Sequence, residues 1–329
     1  MLMRRSGAGR LIGVAVVGLS TLILSACGED LVVDPGAMAS TTVPPVADAE
    51  VDTGDVEVVE DAEPDVVRDG DYVLVWSDEF EGSAGTPLNA EFWNYEVGGE
   101  GWGNQELQLY RDDPSVASLD GEGNLRIVAD RLAEDDPLAD PASGACWYGA
   151  CEYTSARVTT QEKVVTTYGR IEGRIKIPTG QGIWPAFWML GSNITIRPWP
   201  VSGEIDIMEN IGSEPKTLHG SMHGPGYSGG EPLGGSITLA PGNLSDDFRV
   251  FAVEWTPEGV TWTVDGRAYA SASPEDIADD RTAYWVFDKD FFLILNVAVG
   301  GQWPGSPDAS TQFPQEMLVD WVRIWQLDA

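Results

Sequence analysis

The chain is poor in residue types that carry much of enzyme and binding chemistry. Its 329 residues include 3 cysteines, 2 histidines and 19 lysines plus arginines, against 53 acids. The resulting formal net charge of −34 repels nucleic acid and anionic lipid, so neither is an expected partner and a neutral one is favoured. Long apolar runs are missing as well. The run LIGVAVVGLSTLILSA at 11–26 has 16 residues, short of the roughly 20 that a membrane-spanning helix needs. No stretch carries the period of a long amphipathic helix. Short β-rich runs recur instead, punctuated by 38 glycines and 21 prolines, and they predict an all-β fold.

The 16-residue run follows Arg4, Arg5 and Arg10 and ends in LSAC, the layout of an export signal. LSAC resembles the lipobox of bacterial lipoproteins. That likeness implies a signal peptide over 1–27, a lipid on Cys27, and export to the bacterial cell envelope, at the cell surface or extracellular side, with membrane contact only through this anchor. Residues 28–70 carry 13 acids against a single base, Arg68, with four prolines and no aromatic residue. Such a segment cannot bury enough apolar surface to offset its ordering entropy and is expected to be a disordered tether. The folded domain is then 71–329, expected to act as a monomer. With Cys27 set aside, Cys146 and Cys151 remain in CWYGAC; in an oxidising compartment they are expected to form a disulfide.

Within 71–329 several runs read as strands. YGRIEGRIKIP alternates, with Tyr168, Arg170, Glu172, Arg174 and Lys176 on one face and Ile171, Ile175 and Ile177 on the other. VTWTVDGRAYA turns Val260, Trp262 and Val264 inward before an Asp265-Gly266 hairpin turn. FFLILNVAVGG is apolar throughout, as suits a strand covered on both faces, and MLVDWVRIWQ supplies a closing strand. Many antiparallel strands over this length predict a two-sheet jelly-roll sandwich.

One run breaks the pattern. GEIDIMEN, at 203–210, packs three acids among apolar residues. In a strand, Glu204 and Asp206 share a face while Ile205 and Ile207 take the other. Glu209 has the wrong parity, and one extra residue, most simply Met208, returns it to the acidic face as a β-bulge. Glu204 and Glu209 can then approach the spacing of about 5–5.5 Å used by retaining glycosidases. Asp206 between them raises its neighbours' pKa values by like-charge crowding, and one protonated carboxyl beside one ionised is what acid plus nucleophile chemistry requires.

Together with GIWPAFWMLG, HGSMHGPGYSGG, GWGNQELQLY and FFLILNVAVGGQWPG, this stretch resembles glycoside hydrolase family 16, in particular its laminarinase-like endo-β-1,3-glucanases. The resemblance spans 72–327. It implies a concanavalin A-like β-jelly-roll with a concave cleft and a retaining mechanism. Glu204 is then the nucleophile, Glu209 the acid/base and Asp206 the residue tuning both, with β-glucan as substrate and no cofactor needed for the chemistry. Met208 favours the β-1,3 spelling of the motif over the shorter lichenase form. Trp184 and Trp188, four apart and so on one strand face, are expected as platforms for sugar rings. The resemblance adds Asn104, Arg157, Trp102, His223 beside the acid/base and Trp303 at a cleft edge, while His219 is expected to be structural. It further implies a structural calcium held by Glu79, Gly123 and Asp320, whose oxygens suit that ion. Mixed-linkage glucan, another polysaccharide, or a non-catalytic glucan-binding protein are the alternatives; the last is disfavoured because all three acids are retained.

Overall fold

The extended, glycine-bounded segments pair into two stacked sheets in a computed structural model that describes residues 68–328. Cys27, the signal segment 1–27 and nearly all of the acidic 28–70 segment lie outside the described residues. The described chain opens slightly before the expected boundary at 71, because Arg68–Asp69 already pairs with Tyr72–Val73.

Among the described residues one sheet has eight strands. Its main path runs Leu233–Thr238, Thr217–His223, Glu204–Glu209, Ile183–Gly191, Phe291–Val299, Arg157–Thr159 and Asn94–Glu96, with Val165–Thr166 also paired to Phe291–Val299. The other has eleven, and its centre is formed by Arg249–Thr256, Gly169–Lys176, Gln315–Leu327 and Leu125–Arg131. The fold is the expected all-β jelly-roll sandwich. The named strands pair antiparallel except that Gln108–Tyr110 runs parallel to Tyr153–Ser155.

The core lies between the sheets and follows the period-two pattern. Ile171, Ile175 and Ile177 enter it from one sheet, as do Val260, Trp262 and Val264; Phe187, Met189, Ile205, Ile207 and Met208 enter it from the other. Asp265 and Gly266 both take positive φ, 49° and 74°, the geometry of a tight hairpin turn. Glu172 faces away from the isoleucines as expected, yet is buried, because Trp325 covers it and donates its indole N–H to Oε1 at 2.7 Å. Phe291–Val299 is buried at every position. Its odd-numbered residues fill the core, while Phe292 and Ile294 join Leu190 and Trp188 in a second apolar cluster. That second cluster floors one end of a cleft on the eight-stranded sheet's outer face. Among the described residues, no helix is long and apolar enough to cross a membrane.

Candidate active site

Strand register puts the acids where the pattern requires them. Glu204 pairs with Leu190, Asp206 with Trp188 and Glu209 with Ala186, and the register slips by one residue between the last two pairs. The expected bulge is therefore present, spread over Ile207 and Met208. Met208 still faces Phe187 and Ile207 is the unmatched residue. Both side chains are fully buried, so the two aliphatic residues share the core while the three carboxylates share the cleft. On the far side, His223, Ser221 and His219 pair with Glu204, Asp206 and Glu209 in turn, which sends all three side chains to the same face.

The cleft, about 520 Å³, is lined by the three acids together with Trp102, Asn104, Arg157, Trp184 and Trp188, all anticipated, and by Trp199, Glu106, Asn296 and Gln302, which were not. Trp184 donates its indole N–H to Glu209 Oε1 at 3.0 Å. Trp303 stands edge-on to Trp184 at 5.3 Å and to His219 at 5.0 Å. The Arg157 guanidinium lies 4.7 Å from the ring centres of both Trp102 and Trp188 and pairs with Glu96. Each indole therefore has one face taken by a cation. Behind them a polar network fixes orientation: Trp188 donates to Asn296 at 2.7 Å, Asn296 to the Tyr110 hydroxyl at 3.1 Å, and Asn104 and Gln108 to the buried Glu106 at 3.0 and 2.6 Å.

His223 departs from its expected neighbour. It falls opposite Glu204, at the other end of the triplet from Glu209, with Nε2 3.2 Å from Asp206 Oδ2 and 3.8 Å from Glu204 Oε1. His219 falls opposite Glu209 instead, with its Nε2 3.9 Å from Glu214. Trp199 and Ser221 were invisible to sequence reasoning because their roles arise across strands and loops. Ser221 donates to Asp206 Oδ2 at 2.7 Å and lies 3.3 Å from Glu209 Oε2. A serine hydroxyl has one proton. With that proton on Asp206, the second contact suits a protonated Glu209 donating to the serine oxygen.

The electrostatics favour a shared proton. Burial first, and the charge of Asp206 second, push the Glu204 carboxyl well above the usual range, against the pull of Arg157 and the Trp199 indole. Burial and then Asp206 do the same to Glu209, with Glu204 adding to the rise and His223 and Trp184 opposing it. Burial draws His223 down, but its contact with Asp206 and the charge of Glu209 outweigh this and leave it raised. A buried triplet of acids beside one imidazole cannot hold three full negative charges cheaply, so one carboxyl retains a proton near neutrality.

The residues expected to hold calcium are otherwise engaged. Arg323 grips Glu79 through two hydrogen bonds of 2.9 and 2.8 Å, and Arg174 pairs with Asp320. Both carboxylates are already matched by positive charge, so this arrangement does not fit a calcium site built on them with Gly123. Cys146 and Cys151 form the expected disulfide.

Residues 117–323 match the family model for "Glycosyl hydrolases family 16". The chain belongs to glycosyl hydrolases family 16. It is 42% identical over 262 residues to a beta-glucanase of Rhodothermus marinus, covering 78% of this chain and 85% of that protein. The catalytic domain of an endo-1,3-beta-glucanase (laminarinase) from Thermotoga petrophila superposes with a TM-score of 0.70 at 44% identity, over 78% of this chain and 99% of that one. An endo-beta-1,3-glucanase from Pyrococcus furiosus gives 0.71 at 43% identity, over 78% and 95%. The family's chemistry is glycoside hydrolysis, and the bulged acid strand lies within the matched segment.

Proposed function

We propose that the protein is an endo-acting, retaining β-1,3-glucanase of laminarinase type. The observation that carries this reading is the convergence of Glu204, Asp206 and Glu209 on one cleft face, produced by the bulge at Ile207 and Met208. Glu209 protonates the glycosidic oxygen while Glu204 attacks the anomeric carbon, giving a covalent glycosyl-enzyme. Glu209, now ionised, takes a proton from water, which displaces Glu204 and releases the sugar with retained configuration. Asp206 and His223 hold the charge balance around Glu204, and Ser221 and Trp184 orient Glu209. Indole faces beside amide and guanidinium groups suit the apolar faces and polar edges of glucose rings. Identity above 40% to glucanases supports a β-1,3-glucan substrate.

The same reading makes the enzyme an exported one, tethered by a lipid on Cys27 through the acidic segment and acting as a monomer at the cell surface. Its partner is the polysaccharide alone.

The test is direct. Purified protein is incubated separately with laminarin, curdlan, lichenan and agarose, the products are sized, and the first-formed anomer is read by proton NMR. The expected outcome is internal cleavage of β-1,3-glucan with retention, and loss of turnover by roughly 10⁴-fold or more in Glu204→Gln. Cleavage of another polymer with no products from any β-1,3-glucan overturns the substrate; wild-type turnover in Glu204→Gln overturns the mechanism.

A further inference from the structure

One wall of the cleft is carried by a turn that its own residues do not favour. In the segment 98–107, Trp102 and Gln105 are held at φ 47° and 58°, alongside Gly101 and Gly103 at 82° and 85°. Left-handed backbone at two non-glycine residues persists only where the surroundings impose it. This turn presents Trp102, Asn104 and Glu106 to the cleft.

Gln302 holds part of this turn, its main-chain N–H donating to Asn104 O at 2.8 Å, and the disulfide loop 146–151 holds another part. The Trp147 main-chain N–H donates to Gly99 O at 2.9 Å, its indole N–H to Glu106 O at 2.7 Å, and the Tyr148 hydroxyl to Leu107 O at 2.6 Å. Two glycines allow the approach. A Cβ on Gly99 would lie 2.7 Å from Cys146 Sγ, and one on Gly101 2.9 Å from Trp147 Cδ1. The disulfide sits in its own small apolar cluster with Leu109, Leu132, Leu138 and Tyr148, apart from the main core. Trp147 does not line the cleft, and its ring is half exposed.

We infer that the Cys146–Cys151 loop is a positioning clamp for glucan binding. Trp147 is its key residue, fixing the height and tilt of the Trp102–Asn104–Glu106 wall through the Glu106 carbonyl. The chemistry at Glu204 and Glu209 lies on a different strand, so the clamp governs the grip on the sugar chain rather than the bond-breaking step. This rests on the glucanase reading above.

Two variants test it: Trp147→Phe, which keeps a ring but removes the indole donor, and Cys146→Ser/Cys151→Ser. Each is assayed on laminarin for KM and kcat, and each is placed in the Glu204→Gln background for laminarin affinity by calorimetry. The expected result for Trp147→Phe is a rise of about 3- to 10-fold in both KM and Kd, the scale of one lost hydrogen bond, with kcat within about twofold. The double cysteine variant shows the same split at least as strongly; should it fail to fold, Trp147→Phe decides alone. Unchanged Kd and KM in folded Trp147→Phe overturn the clamp, as does a fall in kcat with KM unchanged. Because affinity is read in a protein that does not turn over, an enzyme inactive on laminarin would refute the substrate while the affinity ratio still judged the clamp.

Discussion

The indole N–H of Trp262, rooted in the opposite sheet, donates to the main-chain carbonyl of Asp206 at 2.8 Å. Asp206 is the last residue before the bulge, where the ladder slips, and its carbonyl is held from across the core. Trp262→Phe keeps the ring and leaves that carbonyl without its buried donor. The expected cost is about 1–3 kcal/mol of stability, measured by denaturant unfolding, together with about a tenfold drop in kcat as the bulge relaxes. Stability lost with kcat intact would detach Trp262 from the acid geometry.

Asp206 sets the pH range of catalysis. Its charge is the second cause, after burial, raising both Glu204 and Glu209. The profile of kcat/KM is therefore expected to be a bell whose two limbs belong to the coupled pair and lie above the ordinary glutamate value of about 4.3. In Asp206→Asn both limbs move to lower pH, because removing a negative neighbour makes each remaining carboxyl easier to ionise. Limbs that stay in place, or move upward, contradict this assignment.

The same raised carboxyls make the site a source of instability. A group whose folded pKa lies above its unfolded value stabilises the fold most below the unfolded pKa and loses that contribution as pH rises through the folded one. At neutral pH the ionised form is thus a cost that Glu204→Gln relieves. A Tm a few degrees above wild type near pH 7 is expected for this inactive variant, shrinking as the pH is lowered toward 4. Calorimetry across that pH range decides it; a lower Tm near pH 7 argues against the strain.

Arg157 is held between the rings of Trp102 and Trp188 as well as by Glu96. Lysine keeps the charge but not the flat, stackable group. Arg157→Lys is expected to raise KM for laminarin roughly 3- to 10-fold, on the scale of one desolvated cation–π contact. A wild-type KM would show that the two indoles hold their tilt unaided.

The pairs Glu79–Arg323 and Asp320–Arg174 lead to a prediction about chelators. The hydrogen bonds from Arg323 hold the Glu79 carboxyl below its usual range. Its contribution is present above the unfolded pKa and lost as pH falls through the lower folded value. Glu79 is partly exposed, so solvent screens the pair and it is worth only about 0.2–1 kcal/mol. Excess EDTA is expected to leave Tm unchanged. A fall in Tm with EDTA that calcium restores would overturn this and return the carboxylates to an ion.

The sequence carried the sandwich because its strands are written in alternation: Ile171, Ile175, Val260, Trp262 and Val264 are buried where a period of two puts them. The bulge was also legible, since only an inserted residue reconciles Glu209 with its partners. Three kinds of feature were not. Ser221 and Trp199 reach the acids through pairings between segments that no local pattern announces. Glu106 reads as a surface acid until Asn104, Gln108 and Tyr110 fold around it. His223 lies opposite Glu204 and beside Asp206 while its charge also acts on Glu209, a placement set by pairing between strands rather than by any local pattern.

The slip has a consequence for how this strand tolerates shortening. Without Met208, five residues would run in strict alternation, and the glutamate now at 209 would still point outward with Glu204 and Asp206. A deletion of that one methionine is thus parity-neutral at the reacting face. It would alter the reach between the outer acids and the local twist, so a family can lengthen or trim here to retune its cut without ever turning an acid inward.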